Sequence, residues 1–146
     1  MVILFLLFPS LSWGLCVKKS VANLRASPSS KAPLVWTVGK YMPFVKVGSD
    51  GKWLKVKDLD GRLMWIYKSL VTSSYDCAVV RKTASLRSGP GKSKGKTPLA
   101  KAFKYMPFKK LKRDGAWLRV EDFHGKRHWI YESNVWEPMN TTKLSY

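Results

Sequence analysis

The chain says the same thing twice. Lys40-Tyr41-Met42-Pro43-Phe44 returns as Lys104-Tyr105-Met106-Pro107-Phe108, Trp53-Leu54-Lys55-Val56 as Trp117-Leu118-Arg119-Val120, and Trp65-Ile66-Tyr67 as Trp129-Ile130-Tyr131, all at one offset of 64 residues. Leu24-Arg25 and Leu86-Arg87 match at 62, which assigns two extra residues of the second copy to the loop between these motifs. Such a repeat restricts the chain to a tandem of small modules and argues against one enzyme with a site assembled from distant parts. Each unit, about sixty residues, lies near the lower size at which a core folds unaided. Seven Trp, six Tyr and six Phe supply the large side chains that can fill two such cores.

The strand signals are short and closely spaced. Leu34 to Val38 is β-rich, Phe44 to Val47 follows, and Gly48-Ser49-Asp50-Gly51 is expected to turn the chain. Trp53 to Lys57 alternates, Asp58-Leu59-Asp60-Gly61 turns it again, and Leu63 to Tyr67 is the last long strand. No segment of convincing length carries a helical period. Strand parity sets Leu54 and Val56 inside and Trp53, Lys55 and Lys57 outside; Leu118 and Val120 against Trp117 and Arg119 repeat the pattern.

The N-terminus reads as a leader. The first fifteen residues hold no charge, and Met1 to Phe8 is an apolar run of signal-peptide length, too short to span a bilayer. Ser12-Trp13-Gly14 offers small residues for cleavage, giving a signal peptide over 1–14. The competing reading is a buried N-terminal strand. No Lys or Arg precedes the run, so the true start is open, and Leu15 before Cys16 fits a lipoprotein signal poorly.

Cys16 and Cys77 each open one repeat. In an oxidising compartment they are candidates for a disulfide between the modules; two free buried thiols are the alternative. The net charge of +18 belongs to the mature chain: +7 over residues 15–76 and +11 over 77–146. Such an excess favours anionic surfaces and anionic wall polymers. Export argues against specific nucleic-acid binding, and no stable membrane span is expected.

Catalytic and metal patterns are missing. A Cys77 nucleophile would need His124 or His128, and the first copy has Asp60 and Met64 in their places. The two His, four residues apart, would share a helix face, but Gly125 marks a hairpin, so both read as surface residues with no metal role. Gly89 to Lys96 lacks phosphate-loop spacing and reads as an exposed basic loop. Asn140-Thr141-Thr142 is only formally a glycosylation acceptor, in a short tail. No catalytic residue and no cofactor are assigned.

Asn23-Leu24-Arg25-Ala26-Ser27-Pro28, Pro43-Phe44, Trp53-Leu54-Lys55-Val56, Asp60-Gly61 and Trp65-Ile66 together resemble the bacterial SH3-like domain family. Leu86-Arg87-Ser88-Gly89-Pro90-Gly91 in the second copy matches better still, with Ser85 in place of Asn. Met64 and His128 stand where the family often has Gly. The resemblance spans roughly residues 17–72 and 79–137. It implies an all-β chain of two tandem SH3-like barrels, each five-stranded and partly open: a first domain over 15–73, and a second over 74–146 that includes the tail.

By motif position, the resemblance implies an aromatic groove with Trp53 and Tyr67 in the first copy and Trp117 and Tyr131 in the second. Trp65 and Trp129 read as structural lids, and Tyr41, Tyr105 and the two Met-Pro-Phe segments as hydrophobic plugs. Arg25 and Arg87 read as anchors of the first long loop, through either a carboxylate or a backbone carbonyl. Trp36, where the second copy has Lys101-Ala102-Phe103, suggests either grooves of different specificity or a single active groove. The implied protein is a non-enzymatic exported binder of the periplasm or cell envelope that recognises peptidoglycan or its peptides. A protein–protein adaptor for an envelope enzyme is the alternative, and a regulator or fragment of a cell-wall hydrolase a more distant one.

Overall fold

Residues 13–138 are described by a computed structural model. The run Met1–Phe8, the small residue Ser12, and Asn140-Thr141-Thr142 with the rest of the tail lie outside the described residues. Seven strands come from the first copy: β1 (Trp13–Val17), β2 (Val21–Arg25), β3 (Leu34–Gly39), β4 (Pro43–Asp50), β5 (Trp53–Lys57), β6 (Leu63–Tyr67) and β7 (Val71–Thr72). Seven come from the second: β8 (Cys77–Val80), β9 (Ala84–Arg87), β10 (Lys96–Ala102), β11 (Pro107–Asp114), β12 (Trp117–Glu121), β13 (Arg127–Tyr131) and β14 (Val135–Trp136). The two sheets share one antiparallel order, β3-β2-β6-β5-β4-β1-β7 and β10-β9-β13-β12-β11-β8-β14. Single turns of 3-10 helix, Lys68–Leu70 and Glu132–Asn134, lead into β7 and β14.

The seven strands exceed the five expected because the chain entering each copy forms β1 or β8, and its exit adds the two-residue β7 or β14. β1 begins at Trp13 and pairs Gly14 with Val45, so the strand includes two residues of the stretch assigned to the leader. The expected turn at Gly48–Gly51 is also shorter than read. β4 continues to Asp50, a bulge between Lys46 and Gly48 bends it, and the reversal is confined to Gly51 and Lys52. Gly51 and its counterpart Gly115 sit at φ 56° and 58°, a conformation that glycine adopts without a Cβ penalty.

Alternation fills the cores as parity demands. Leu24, Phe44, Val56 and Ile66 are fully buried in the first barrel, and Leu86, Phe108, Leu118 and Ile130 in the second. Phe44 and Phe108 are plugs as read, Met42 is buried with Phe44 and Met106 packs against the second core; Tyr41 is buried beside the cysteines, and Tyr105 packs against the core of the other barrel. The strands β1 and β8 are the exception to one-sided burial. All four residues of β8 are buried, as in strands covered on both faces. Ala78 and Val80 enter their own core, whereas Val79 enters the core of the first barrel. Cys16 and Cys77 lie on these covered faces and form a disulfide, Cα–Cα 5.8 Å, packed under Tyr41 and Tyr75.

The cysteines are not equivalent positions. Cys16 faces Pro43 and Val79 faces Pro107, so Cys16 corresponds to Val79 and Cys77 to Gly14. The inserted residues also move. Arg25 faces Leu34 and Arg87 faces Lys96, so the loops after β2 and β9 have equal length. The insertion lies inside β10, as a register shift between Lys96 and Lys101 with Ala100 at φ 59°.

Each barrel reaches into the other through its Lys-Tyr-Met-Pro-Phe segment. Tyr41 and Tyr105 adopt φ 75° and 73°. The Tyr41 hydroxyl donates to Glu121 at 3.3 Å, and the Tyr105 hydroxyl donates to Asp60, which also meets Lys104 at 3.3 Å. Trp36 packs edge-on against Tyr105 with centroids 5.5 Å apart, and the Arg62 guanidinium covers its ring at 4.7 Å. Trp36 thus belongs to the contact between barrels, which corrects its assignment to groove specificity.

Candidate aromatic grooves

Trp53 opens β5 and Tyr67 closes β6, and the register pairs them directly. Their rings meet edge-on, centroids 5.3 Å apart at 75°. Trp117 and Tyr131 repeat the pair at 5.4 Å and 63°. Both pairs lie on the outer face, with Leu54, Val56, Leu118 and Val120 buried behind them. Edge-to-face packing fixes the rings against each other, and all four remain at least partly exposed.

Each pair lines a cavity, of about 420 Å³ in the first barrel and about 410 Å³ in the second. The two cavities are built from corresponding positions. Arg25, Trp53 and Tyr67 in the first are Arg87, Trp117 and Tyr131 in the second. Val21, Asn23, Ser30 and Leu70 become Thr83, Ser85, Lys92 and Asn134. The second groove is therefore the more polar, through changes at its rim rather than at its aromatic pair. The four aromatic residues read from the sequence are all brought to the grooves. The rim positions were missed, although the repeat offsets mark them as matched substitutions: Val21/Thr83 and Asn23/Ser85 at or next to the strands β2 and β9, Ser30/Lys92 in the loop that follows, and Leu70/Asn134 in the 3-10 turns.

The arginines act as expected, through backbone carbonyls. Arg25 Nη1 donates to Ala32 O at 3.0 Å, and Arg87 Nη1 to Lys94 O at 3.3 Å, each seven residues along the chain. They tie down the loop that forms one wall of each groove. Trp65 and Trp129 lie half-buried on the same outer face, in register with these arginines.

The turn after β5 and β12 is built on one carboxylate. Asp58 Oδ1 accepts the backbone N–H groups of Asp60 and Arg62, and Asp122 Oδ1 accepts those of His124 and Lys126. Asp58 Oδ2 accepts from Arg62 Nε at 2.7 Å, whereas Asp122 Oδ2 accepts from His128 Nε2 at 2.8 Å. His128 is buried at 2 % exposure, with Thr97 Oγ1 2.6 Å from its other nitrogen. This corrects its reading as a surface residue; His124 is exposed. Burial pushes the Asp122 carboxyl upward, but the bonds from His128, Lys126 and His124 outweigh it and hold the group below its ordinary range. Among the described residues, no group of three His, Cys, Asp or Glu is placed to hold a metal ion.

The family profile described as the bacterial SH3 domain matches residues 18–72 and 80–137. The chain belongs to this family. No curated protein sequence matches it. Among solved structures, this bacterial SH3 tandem is similar to an NlpC/P60 family protein from Bacillus cereus ATCC 10987, at 16% identity and a TM-score of 0.39, over 85% of this chain and 56% of that one. NlpC2 from Trichomonas vaginalis gives 12% and 0.39, over 88% and 49%. The CBD of endolysin LysPBC5 gives 18% and 0.33, over 89% and 96%. The tandem spans about half the length of the first two of these chains.

Proposed function

We propose that this bacterial SH3 tandem is a non-enzymatic, exported binding protein of the cell envelope that recognises peptidoglycan or its peptides. The carrying observation is the repeated groove. Two barrels whose rims have diverged retain the same Arg, Trp and Tyr around cavities of nearly equal size. A fixed edge-to-face pair suits the extended backbone and flat faces of a peptide stem or sugar ring. The Cys16–Cys77 disulfide fits an oxidising compartment, which supports export. In this reading residues 1–14 are the leader, and mass spectrometry of the envelope-derived protein should show where the mature chain begins.

Binding to purified sacculi tests the grooves. Attraction between exposed charges is screened over about 8 Å at physiological ionic strength, whereas ring stacking is screened far less. Binding should weaken with salt yet persist in part, and Trp53→Ala with Trp117→Ala should remove the persistent part. A folded double variant that matches the parent at every salt concentration would overturn the assignment. Complete loss of parent binding at moderate salt would leave the net charge as the whole explanation.

A further inference from the structure

The second barrel carries a row of cations that the first lacks. In register across five strands lie Lys112 of β11, Arg119 of β12, Trp129 of β13, Arg87 of β9 and Lys96 of β10. Directly paired residues in a sheet point to one side. The neighbours Leu86, Leu118, Val120, His128 and Ile130 are buried, so the row faces outward. Four spacings of about 4.8 Å give it a length of about 19 Å. The same row in the first barrel reads Gly48, Lys55, Trp65, Arg25 and Leu34, with two cations instead of four. Both end lysines are therefore particular to the second barrel.

The row is open to a ligand. Among the described residues, none of Lys112, Arg119, Arg87 and Lys96 is bonded to a carboxylate. Nearby, Glu121 faces Arg127 at 3.8 Å and accepts from Tyr41, and Asp114 ends the adjoining row beside Trp117. A line of charge one residue wide matches an extended polymer better than a flat lipid surface. Its single ring sits at the centre, between two cations on each side. Surfaces for single-stranded nucleic acid instead stack successive bases on several rings.

We propose that this row is a binding site for a linear polyanion of the envelope with a phosphodiester in each repeat, such as a polyol phosphate. Lys112, Arg119, Arg87 and Lys96 would meet successive phosphates, and Trp129 the apolar edge of the unit between them. The row shares Arg87 with the second groove, where one of its nitrogens is held by the Lys94 carbonyl, but Lys112, Arg119, Trp129 and Lys96 lie outside that groove; only the choice of an envelope polymer over nucleic acid rests partly on the reading given above.

The probe is purified poly(glycerol phosphate) of defined length, titrated against the oxidised full chain. Lys112→Gln with Arg119→Gln should weaken binding about tenfold and lower the log–log salt slope by about 1.4, at about 0.7 per phosphate contact. Lys55→Gln with Lys57→Gln removes equal charge from the first barrel and should leave affinity within about threefold. If the first pair fails to fold by circular dichroism, Lys96→Gln with Lys112→Gln, both at exposed positions, should give the same loss. Equal losses in both barrels, or no binding by the parent at physiological salt, would overturn the site. An oligonucleotide of matched charge that binds the row more tightly would overturn its assignment to a polyol phosphate. The Trp53→Ala, Trp117→Ala variant should keep polymer binding, so failure of the grooves and failure of the row are read separately.

Discussion

Asp58 and Asp122 hold corresponding turns with one oxygen and differ in what they do with the other. In the second barrel that oxygen anchors His128, and His128 anchors Thr97 in the bulged strand β10. Removing the imidazole strands the buried Asp122 carboxylate oxygen and the half-buried Thr97 hydroxyl, and leaves a void. His128→Ala should therefore cost about 2–3 kcal/mol in urea unfolding, against about 0.5 kcal/mol or less for His124→Ala in the exposed turn. The Asp122 carboxyl lies below its ordinary 3.8 in the folded chain. As pH falls, the unfolded chain takes up this proton first. The stabilisation is complete above 3.8 and is lost as pH drops through the lower folded value. Asp122→Asn should flatten the acid limb of a stability–pH curve while lowering the neutral plateau. The Asp-x-x-Gly spacing of both turns was legible in the sequence. The burial of His128 was not, because the hairpin at His124-Gly125 suggested exposure for both histidines and the partner Thr97 lies 31 residues away.

Strand periodicity carried most of the fold. β3, β5 and β6 fall where alternation puts them, and Pro43 and Pro107 begin β4 and β11 as strand-entrance prolines should. What alternation could not reveal is irregularity. The β4 bulge hides in Val-Gly-Ser-Asp, which has the composition of a turn, and the β10 insertion lies in Lys-Thr-Pro-Leu-Ala, which reads as a loop. The true reversals rest on single glycines, and this can be measured. Gly115 has positive φ and open space around its Cβ position, so Gly115→Ala should cost about 1 kcal/mol through backbone conformation alone. Gly48 lacks positive φ, and a Cβ there would meet Lys55 at an ordinary 3.6 Å. Gly48→Ala should stay within about 0.5 kcal/mol in the same denaturation assay.

Nothing in a repeat states how its two copies face each other. That arrangement follows from β1 and β8, whose outward residues are apolar where a solvated edge would be polar, and from two tyrosines that cross between barrels. The disulfide fixes the result. It closes a separation of 61 residues, which the chain-entropy account values at about 4 kcal/mol. Native protein should show no titratable thiol until reduced. Cys16→Ser with Cys77→Ser should lower the denaturation midpoint while preserving the far-ultraviolet spectrum of both barrels. Two thiols titrating in freshly isolated oxidised protein would contradict the bond.

The covalent lock also changes the arithmetic of attachment. Two sites on a flexible tether sample many separations, and the second capture is diluted by that freedom. Here the separation of the grooves is built in, so no linker entropy is lost when the second one engages. A matrix presenting its motif at the matching interval would be held with an avidity far above that of either groove, and a soluble fragment with one motif would compete poorly. On the proposed reading, a protein built in this way would register the spacing of its target as well as its chemistry, and would so favour intact wall over soluble fragments.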